Sequence, residues 1–202
     1  MGQLIQTSAY SGKNTVSLAR SLLGKVLVRA AAAGGGETRH ILTELEAYHS
    51  EQDLACHASK GRTPRTDVLY RAPGIWYVYL CYGIHEMLNL VVGPEGFPAA
   101  ILVRGLHDVI GPGRVTKTLR INRSLNGQPA LPATGLWIED DGIRVPRSWV
   151  QSTPRVGVDY AGEIWAAKPW RFQIDPARLP ALAAQMRNAL GGPNGAPIQT
   201  AR

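Results

Sequence analysis

The residues with the most chemistry in them fall between positions 43 and 104. TELEAY (43–48) carries two carboxylates and a phenol at alternate positions. In a strand, Glu44, Glu46 and Tyr48 share one face, while Thr43, Leu45 and Ala47 take the other. A carboxylate held there can take a proton from water or steady a developing cation. The same row can also be the solvent side of a half-buried sheet. His57 follows across a short turn, either as a structural histidine or as part of a site. In IWYVYLCYG, Trp76, Val78 and Leu80 alternate with Tyr77, Tyr79 and Cys81, so Tyr79 points away from the apolar set. Tyr82-Gly83 closes this strand in a turn, and an aromatic at a hairpin tip of a basic protein can enter a base stack. Asn89 interrupts the apolar run MLNLVV. A buried amide costs free energy unless hydrogen-bonded, so it reads a ligand edge or fixes a turn. Arg104 ends AAILVRG, as an exposed strand end or as a clamp on phosphate or water.

The whole chain supports an anionic partner. Its 202 residues carry a net charge of +7, with 22 Lys and Arg against 15 Asp and Glu. Such a balance favours nucleic acid or an anionic surface. Lys60, Arg62, Arg65 and Arg71 precede the aromatic strand, and Arg114, Lys117, Arg120 and Arg123 come after it. Each alone is an ordinary solvated charge, but their grouping around the aromatics favours DNA. With 45% apolar residues the chain can bury a core. No apolar run approaches the roughly 20 residues of a membrane span. The first residues, MGQLIQTSAY, lack the charged and apolar regions of a signal peptide. The expectation is a soluble cytoplasmic monomer, nucleoid-associated in a bacterium. Cys56 and Cys81 are isolated, with no CxxC pair and no zinc-ligand spacing, so free thiols are expected and no metal. Without G-x-G-x-x-G or a P-loop, no cofactor is expected either.

The elements that must position these residues are short. Asn14 caps a helix over 15–23 that Gly24 stops. KVLVR (25–29) and RHILTELEAY (39–48) pair around the glycine-rich turn 31–37, and Ser50 and Asp53 cap a helical turn before His57. Segments 75–81, 87–92 and 99–106 form three antiparallel strands with turns at Tyr82-Gly83 and GPEG (93–96). Residues 112–120 are helical, 136–140 and 155–158 extended, 170–174 a final strand, and 180–189 a helix. The fold class is α+β: one domain over 1–190 around a largely antiparallel, curved sheet with a protruding β-hairpin. GGPNGAPIQTAR (191–202) is read as a flexible tail.

In this order the motifs become familiar. TELEAY followed by His57, PGIWYVYLCYG with Asn89, LVRG, GPGRVTKTLRINRS (111–124) and RVGVDYAGEIWAAKPWRF (155–172) resemble the 3-methyladenine (alkyladenine) DNA glycosylase family, the mixed α/β type of bacteria and vertebrates. The resemblance spans about residues 14–174 and implies a base-excision-repair hydrolase acting on double-stranded DNA that contains damaged purines. It implies that Glu46 is the general base and that Arg104 helps position the attacking water, with a backbone carbonyl near Val156. Tyr48, His57 and Tyr79 would sandwich the flipped base, the His57 amide would meet the purine's 6-position, and Asn89 would oppose guanine's 2-amino group. Tyr82 would wedge into the duplex, and His85, Arg62, Arg65 and Arg114 would contact DNA. The chain departs from the family's pattern in three places. His85 stands where vertebrate members carry tyrosine, Arg114 where lysine is common, and the stretch 106–111 is short. No lysine occupies a matched site position, so a Schiff-base step is not expected. A non-catalytic DNA-binding module and a hydrolase of free nucleosides are the competing classes. The first has no need of Glu46 and Arg104 together, and the second has no use for basic loops and a tip tyrosine.

Overall fold

The computed structural model describes residues 2–31 and 35–189. The expected tail at 191–202 and the middle of the glycine-rich turn lie outside them. In chain order the regular elements are β1 (Gln3–Leu4), α1 (Thr15–Leu22), β2 (Val26–Ala30), β3 (Glu37–His49), β4 (Trp76–Cys81), β5 (His85–Val91) and β6 (Ala99–Leu106). They continue with α2 (Pro112–Thr118), β7 (Leu136–Asp140), β8 (Val150–Thr153), α3 (Gly162–Ala166), β9 (Arg171–Ile174) and α4 (Leu179–Ala189). All strand pairings among the described residues are antiparallel, in the order β1-β7-β2-β3-β6-β5-β4, with β9 added to β3 and β8 to β9. The α+β expectation agrees with this architecture.

β3 is the spine. Along one edge it pairs first with β2 up to Ile41 and then, from Glu44 to Glu46, with β9. Along the other edge β6 follows it from Leu42 to His49. Changing partners mid-strand splits the sheet and bends it. The core lies on the face of Leu45, Ala47, Trp76, Val78, Leu88 and Ile101, all buried, and α1 covers part of it with Ala19 and Leu22. Asn14 caps α1 as expected, its side chain accepting from the Ser17 N–H at 2.9 Å. Burying each such Leu, Ile or Val side chain contributes about 1.5–3 kcal/mol.

Two strands escaped the sequence reading. β1 and β8 are only two and four residues long, too short for alternation to show. In the opposite direction, residues 155–158 form a loop, not an extended segment. Gly157 there has a φ of +73°, which a continuing strand of L-residues does not adopt. Between Ser50 and Cys56 the chain turns without making a helix. Asp53 is fully buried in that turn, accepting from the His49 and Ala55 amides at 3.0 and 3.1 Å.

Candidate active site

Strand register assembles the site. Tyr77 on β4 faces Asn89 on β5, Asn89 faces Leu102 on β6, Leu102 faces Glu46 on β3, and Glu46 faces Arg171 on β9. Directly opposed residues point to the same side of a pleated sheet. One row across five strands therefore carries the tyrosine, the amide, the carboxylate and an arginine onto one face. Tyr48 stands one step along, opposite Ala100.

Above this row opens a cavity of about 450 Å³, within the usual size of small-ligand sites. Tyr48, His57, Arg65, Tyr77, Tyr79, Tyr82, Asn89, Arg104, Val156 and Tyr160 are among its lining residues. Glu46 is not one of them. It is fully buried, and three of its neighbours stand between it and the cavity. The Val156 N–H donates to Oε1 at 2.8 Å, the Tyr48 hydroxyl donates to Oε2 at 2.8 Å, and Arg104 Nε lies 3.3 Å from Oε1. Burial pushes the Glu46 carboxyl above its ordinary range, while Arg104, the Val156 amide and the Tyr48 hydroxyl pull it back and Glu44 adds to the rise. The solvent-face reading of Glu44, Glu46 and Tyr48 is thus overturned. β9 and the 155–158 loop cover both carboxylates.

Glu44 is part of the same charge cluster. Its Oε1 accepts from Arg171 Nε at 2.6 Å and from Arg104 Nε at 3.1 Å. The register skips at this point. Glu44 faces Gly105 but Leu45 faces Val103, which leaves Arg104 without an opposite residue. Alternation already puts Arg104 on the face of Leu102 and Glu46, and from inside β6 rather than from its end it reaches both carboxylates. Gly105 lets Glu44 pass close over the backbone, because a Cβ there would stand 3.0 Å from the Glu44 Cβ.

Aromatic rings form one wall. His57 Nδ1 lies 2.9 Å from the Tyr77 hydroxyl, and its ring meets Tyr79 edge-on at 4.6 Å between centroids. Tyr77 and Tyr79 lie 5.3 Å apart, and the Arg65 guanidinium stands 5.2 Å over the Tyr79 ring. Burial, then the charge of Arg65, lowers the His57 pKa to about 4, so the ring is neutral at pH 7. As first residue of a single 3₁₀ turn (His57–Lys60), His57 has a backbone N–H outside the helical hydrogen bonds. Asn89 is buried and turns its Nδ2 to the Tyr77 and Met87 carbonyls at 3.2 and 3.4 Å. Both contacts are acceptors, so the amide's orientation is set.

The rim carries the remaining residues. Tyr82 is 89% exposed at the β4–β5 turn, and both it and Gly83 have positive φ, 50° and 70°. Primed hairpin turns need this backbone, and Tyr is a strained choice for it. The neighbouring Ile84 is 73% exposed, so the tip presents two apolar side chains to solvent. His85 starts β5 against Gly113 of α2, where a Cβ would come within 3.0 Å of its ring. Arg114 is exposed on the first turn of α2. Arg62 lies outside the cavity lining, paired with Asp67 at 2.8 Å and standing over the Tyr70 ring.

Several residues at the site were missed. Tyr77 was legible as the alternate of Tyr79. Tyr160, 70% exposed with its hydroxyl on the Ala55 carbonyl at 3.0 Å, and the buried Asp53–Arg155 pair had no local signal. Val156, expected to offer a carbonyl to the water, also gives its amide to Glu46, a contact the sequence did not announce. One group of metal-compatible residues among those described, His40, His107 and Asp108, contributes nothing to the cavity lining. His40 Nδ1 meets Asp108 at 2.9 Å, and His107 Nδ1 accepts the Ile41 N–H at 3.1 Å, so the group works as a hydrogen-bonded brace.

Comparison with known proteins agrees with this geometry. The profile of the family described as methylpurine-DNA glycosylase (MPG) matches residues 9–178. A protein of Psychrobacter cryohalolentis named "Putative 3-methyladenine DNA glycosylase" is 40% identical over 190 residues, covering 80% of this chain and 87% of its own. Proteins of the same name from Anaeromyxobacter dehalogenans and Methanocella arvoryzae are 43% and 42% identical. They cover 82% and 81% of this chain and 81% and 88% of their own. The match takes in every strand and loop that builds the cavity, and the chain belongs to the methylpurine-DNA glycosylase family.

Proposed function

We propose that this chain excises damaged purines from double-stranded DNA, turning the nucleotide into the cavity and hydrolysing its N-glycosidic bond with a water activated by Glu46. The observation that carries the reading is a buried carboxylate behind an aromatic cavity, held by the Val156 amide, the Tyr48 hydroxyl and Arg104.

A base inside a duplex is out of reach, and bringing it out costs a few kcal/mol, least for a damaged or mispaired base. Stacking on aromatic rings returns about 1–3 kcal/mol per base. Tyr48 on one side and His57 with Tyr79 on the other supply the rings, and an electron-poor alkylated purine gains most from them. Tyr82, already at the exposed hairpin tip, would fill the gap left in the stack. Arg65, Arg114, Arg62 and His85 would meet the DNA backbone and groove. Asn89, held by its bonds to the strand carbonyls, would occupy the space that guanine's 2-amino group needs.

Breaking the glycosidic bond develops positive charge on the sugar. An ionised Glu46 can take the water's proton and stabilise that charge. Tyr48 and Val156 line the cavity while bonded to Glu46, and Oε2, which accepts from the Tyr48 hydroxyl, keeps a lone pair for the water's proton. A cationic 3-methyladenine leaves readily, whereas neutral hypoxanthine and ethenoadenine need a proton on the leaving base. No lysine lines the cavity among the described residues, and the product would be an abasic site without strand cleavage.

The test is a panel of duplex oligonucleotides, each with one hypoxanthine or ethenoadenine, beside dimethyl-sulfate-treated DNA and an undamaged control. Alkali-labile abasic sites should appear in one or more damaged substrates and not in the control. DNA binding that weakens steeply with salt, but without excision of any damaged purine, would leave a binding module. Activity confined to free nucleosides would leave a nucleoside hydrolase.

A further inference from the structure

Arg155 does not line the cavity, and nothing in the chemistry above uses it. Yet its side chain is fully buried and is tied to several segments around Glu46. Its Nη1 donates to the Ala47 carbonyl at 2.9 Å, on the residue between Glu46 and Tyr48. Nη1 and Nη2 make a two-pronged pair with Asp53, the second prong at 2.8 Å, and Nη2 also reaches the Trp165 carbonyl at 3.2 Å. The guanidinium stands 4.8 Å over the Tyr48 ring and 5.1 Å over that of Trp170. One cation thus clamps β3, the 50–56 turn, α3 and the start of β9 together. The next residue along the chain is Val156, whose N–H is the backbone donor on Glu46.

We propose that Arg155, locked by Asp53, is the positioning residue for the base, holding the 155–158 loop so that the Val156 N–H stays on the Glu46 carboxylate. The loop's other anchor is Val158, buried against Ala55 and Ala161, two residues beyond the Val156 amide. Val156 is 50% exposed, and Gly157 follows it with a positive φ, so the amide cannot be held in place by packing of its own side chain. A two-pronged guanidinium–carboxylate pair fixes angle as well as distance, and lysine cannot reproduce it. The proposal rests on Glu46 being the base.

The charge around Glu46 gives the proposal a signature. On its own strand stand Glu44 and the Tyr48 hydroxyl, and β6 contributes Arg104. Arg171 of β9 faces it in register but binds Glu44. From the loop come Arg155 and the Val156 amide, while Asp53 acts through Arg155. From β4 and β5 the row adds only the neutral Tyr77 and Asn89. Burial already raises the Glu46 pKa, and the Val156 N–H is one of the forces that lower it. A hydrogen bond to the charged form favours that form. Loosening the loop therefore raises the pKa further, and a base that must be ionised then works only at higher pH.

The experiment is the pH profile of single-turnover 3-methyladenine release from dimethyl-sulfate-treated duplex DNA, for wild type, Glu46→Gln and Arg155→Lys. Wild type should show an acidic limb that Glu46→Gln abolishes along with most activity; without it the base assignment itself fails. In Arg155→Lys the limb should move up by roughly one pH unit. The rate should fall about tenfold on the limb and recover at higher pH, with lesion-DNA binding unchanged. A limb that stays in place in Arg155→Lys overturns the proposal, and so does an equal loss of rate at every pH. Should Arg155→Lys not fold, Asp53→Asn, which keeps one acceptor for the guanidinium, carries the same test with a smaller shift.

Discussion

Replacing Glu46 by Gln isolates the charge of the proposed base. Gln keeps the length of the side chain and an oxygen for the Val156 N–H at 2.8 Å and for Arg104 at 3.3 Å. Only the Tyr48 contact changes sense, because the hydroxyl that donates to Oε2 at 2.8 Å must accept from the new amide. What is lost is a negative charge beside Arg104, about 5 kcal/mol of gross attraction at 3.3 Å and an effective dielectric of ~20. Most of that is offset, since ionised Glu46 pays for its burial, as the raised pKa records. The fold should therefore survive with little change in thermal midpoint. Catalysis has no such offset. Loss of a general base costs about 10²–10⁴ in rate, or about 2.7–5.4 kcal/mol at 1.36 kcal/mol per decade. Single-turnover excision should fall at least ~100-fold while lesion-DNA binding, measured by anisotropy, stays within a few-fold. Glu44→Gln is an instructive comparison rather than a silent control, because Glu44 shares Arg104 and holds Arg171 at 2.6 Å. Its loss should be smaller, below about tenfold, through a less well-held Arg104. Near wild-type excision by Glu46→Gln, with Glu44→Gln inactive, would show that the wrong carboxylate had been assigned.

Four further outcomes follow from the same geometry. Excision of a cationic lesion should rise with pH through an apparent pKa above the ordinary carboxylate value and then level off, because Glu46 must be ionised and burial raises its pKa; a rate flat from pH 4 upward refutes this. His57, lowered to about 4 by burial, stays neutral in the fold but charges in the unfolded chain, whose ordinary value is about 6.5. Its contribution to stability should thus be intact above about pH 6.5 and drain away as pH falls towards about 4, a slope in thermal midpoint that His57→Gln should flatten. Tyr82→Gly should relieve the positive φ of 50° and leave stability equal or higher, yet weaken base flipping as read by a fluorescent base analogue; unchanged flipping would remove the wedge role. Asn89→Ala should raise excision of guanine-derived over hypoxanthine substrates, and it should cost about 0.5–1.5 kcal/mol through loss of its amide's hydrogen bonds to the Tyr77 and Met87 carbonyls; an unaltered substrate ratio would place selectivity elsewhere.

Much of the scaffold was legible in the sequence. Alternation in IWYVYLC and AAILVRGL placed β4 and β6, Asn14 and Gly24 bracketed α1, and Tyr82-Gly83 marked the hairpin tip. Where the reading failed, the reason was local. β1 and β8 are too short for a period to register, and the apolar ends of RVGV look like a strand until Gly157 takes a positive φ. The carboxylate row in TELEAY is the more telling case. Alternation alone leaves a charged strand face open to water, which is the cheap arrangement for Glu44 and Glu46. The structure buries them, because β9 and the 155–158 loop bring Arg171 and a backbone amide from more than a hundred residues away in sequence.

Residue type and period along one strand are properties of a short window, so the sequence by itself determined which side chains could do chemistry and which face of its own strand each would take. The placement of β6 and β9 on the two edges of β3, the register shift beside Arg104, and the pairing of Asp53 with Arg155 across 102 positions belong to tertiary structure alone. Their cause is physical: a buried carboxylate is tolerable only beside donors and cations, and here those come from distant segments that meet only when the whole sheet has closed around them.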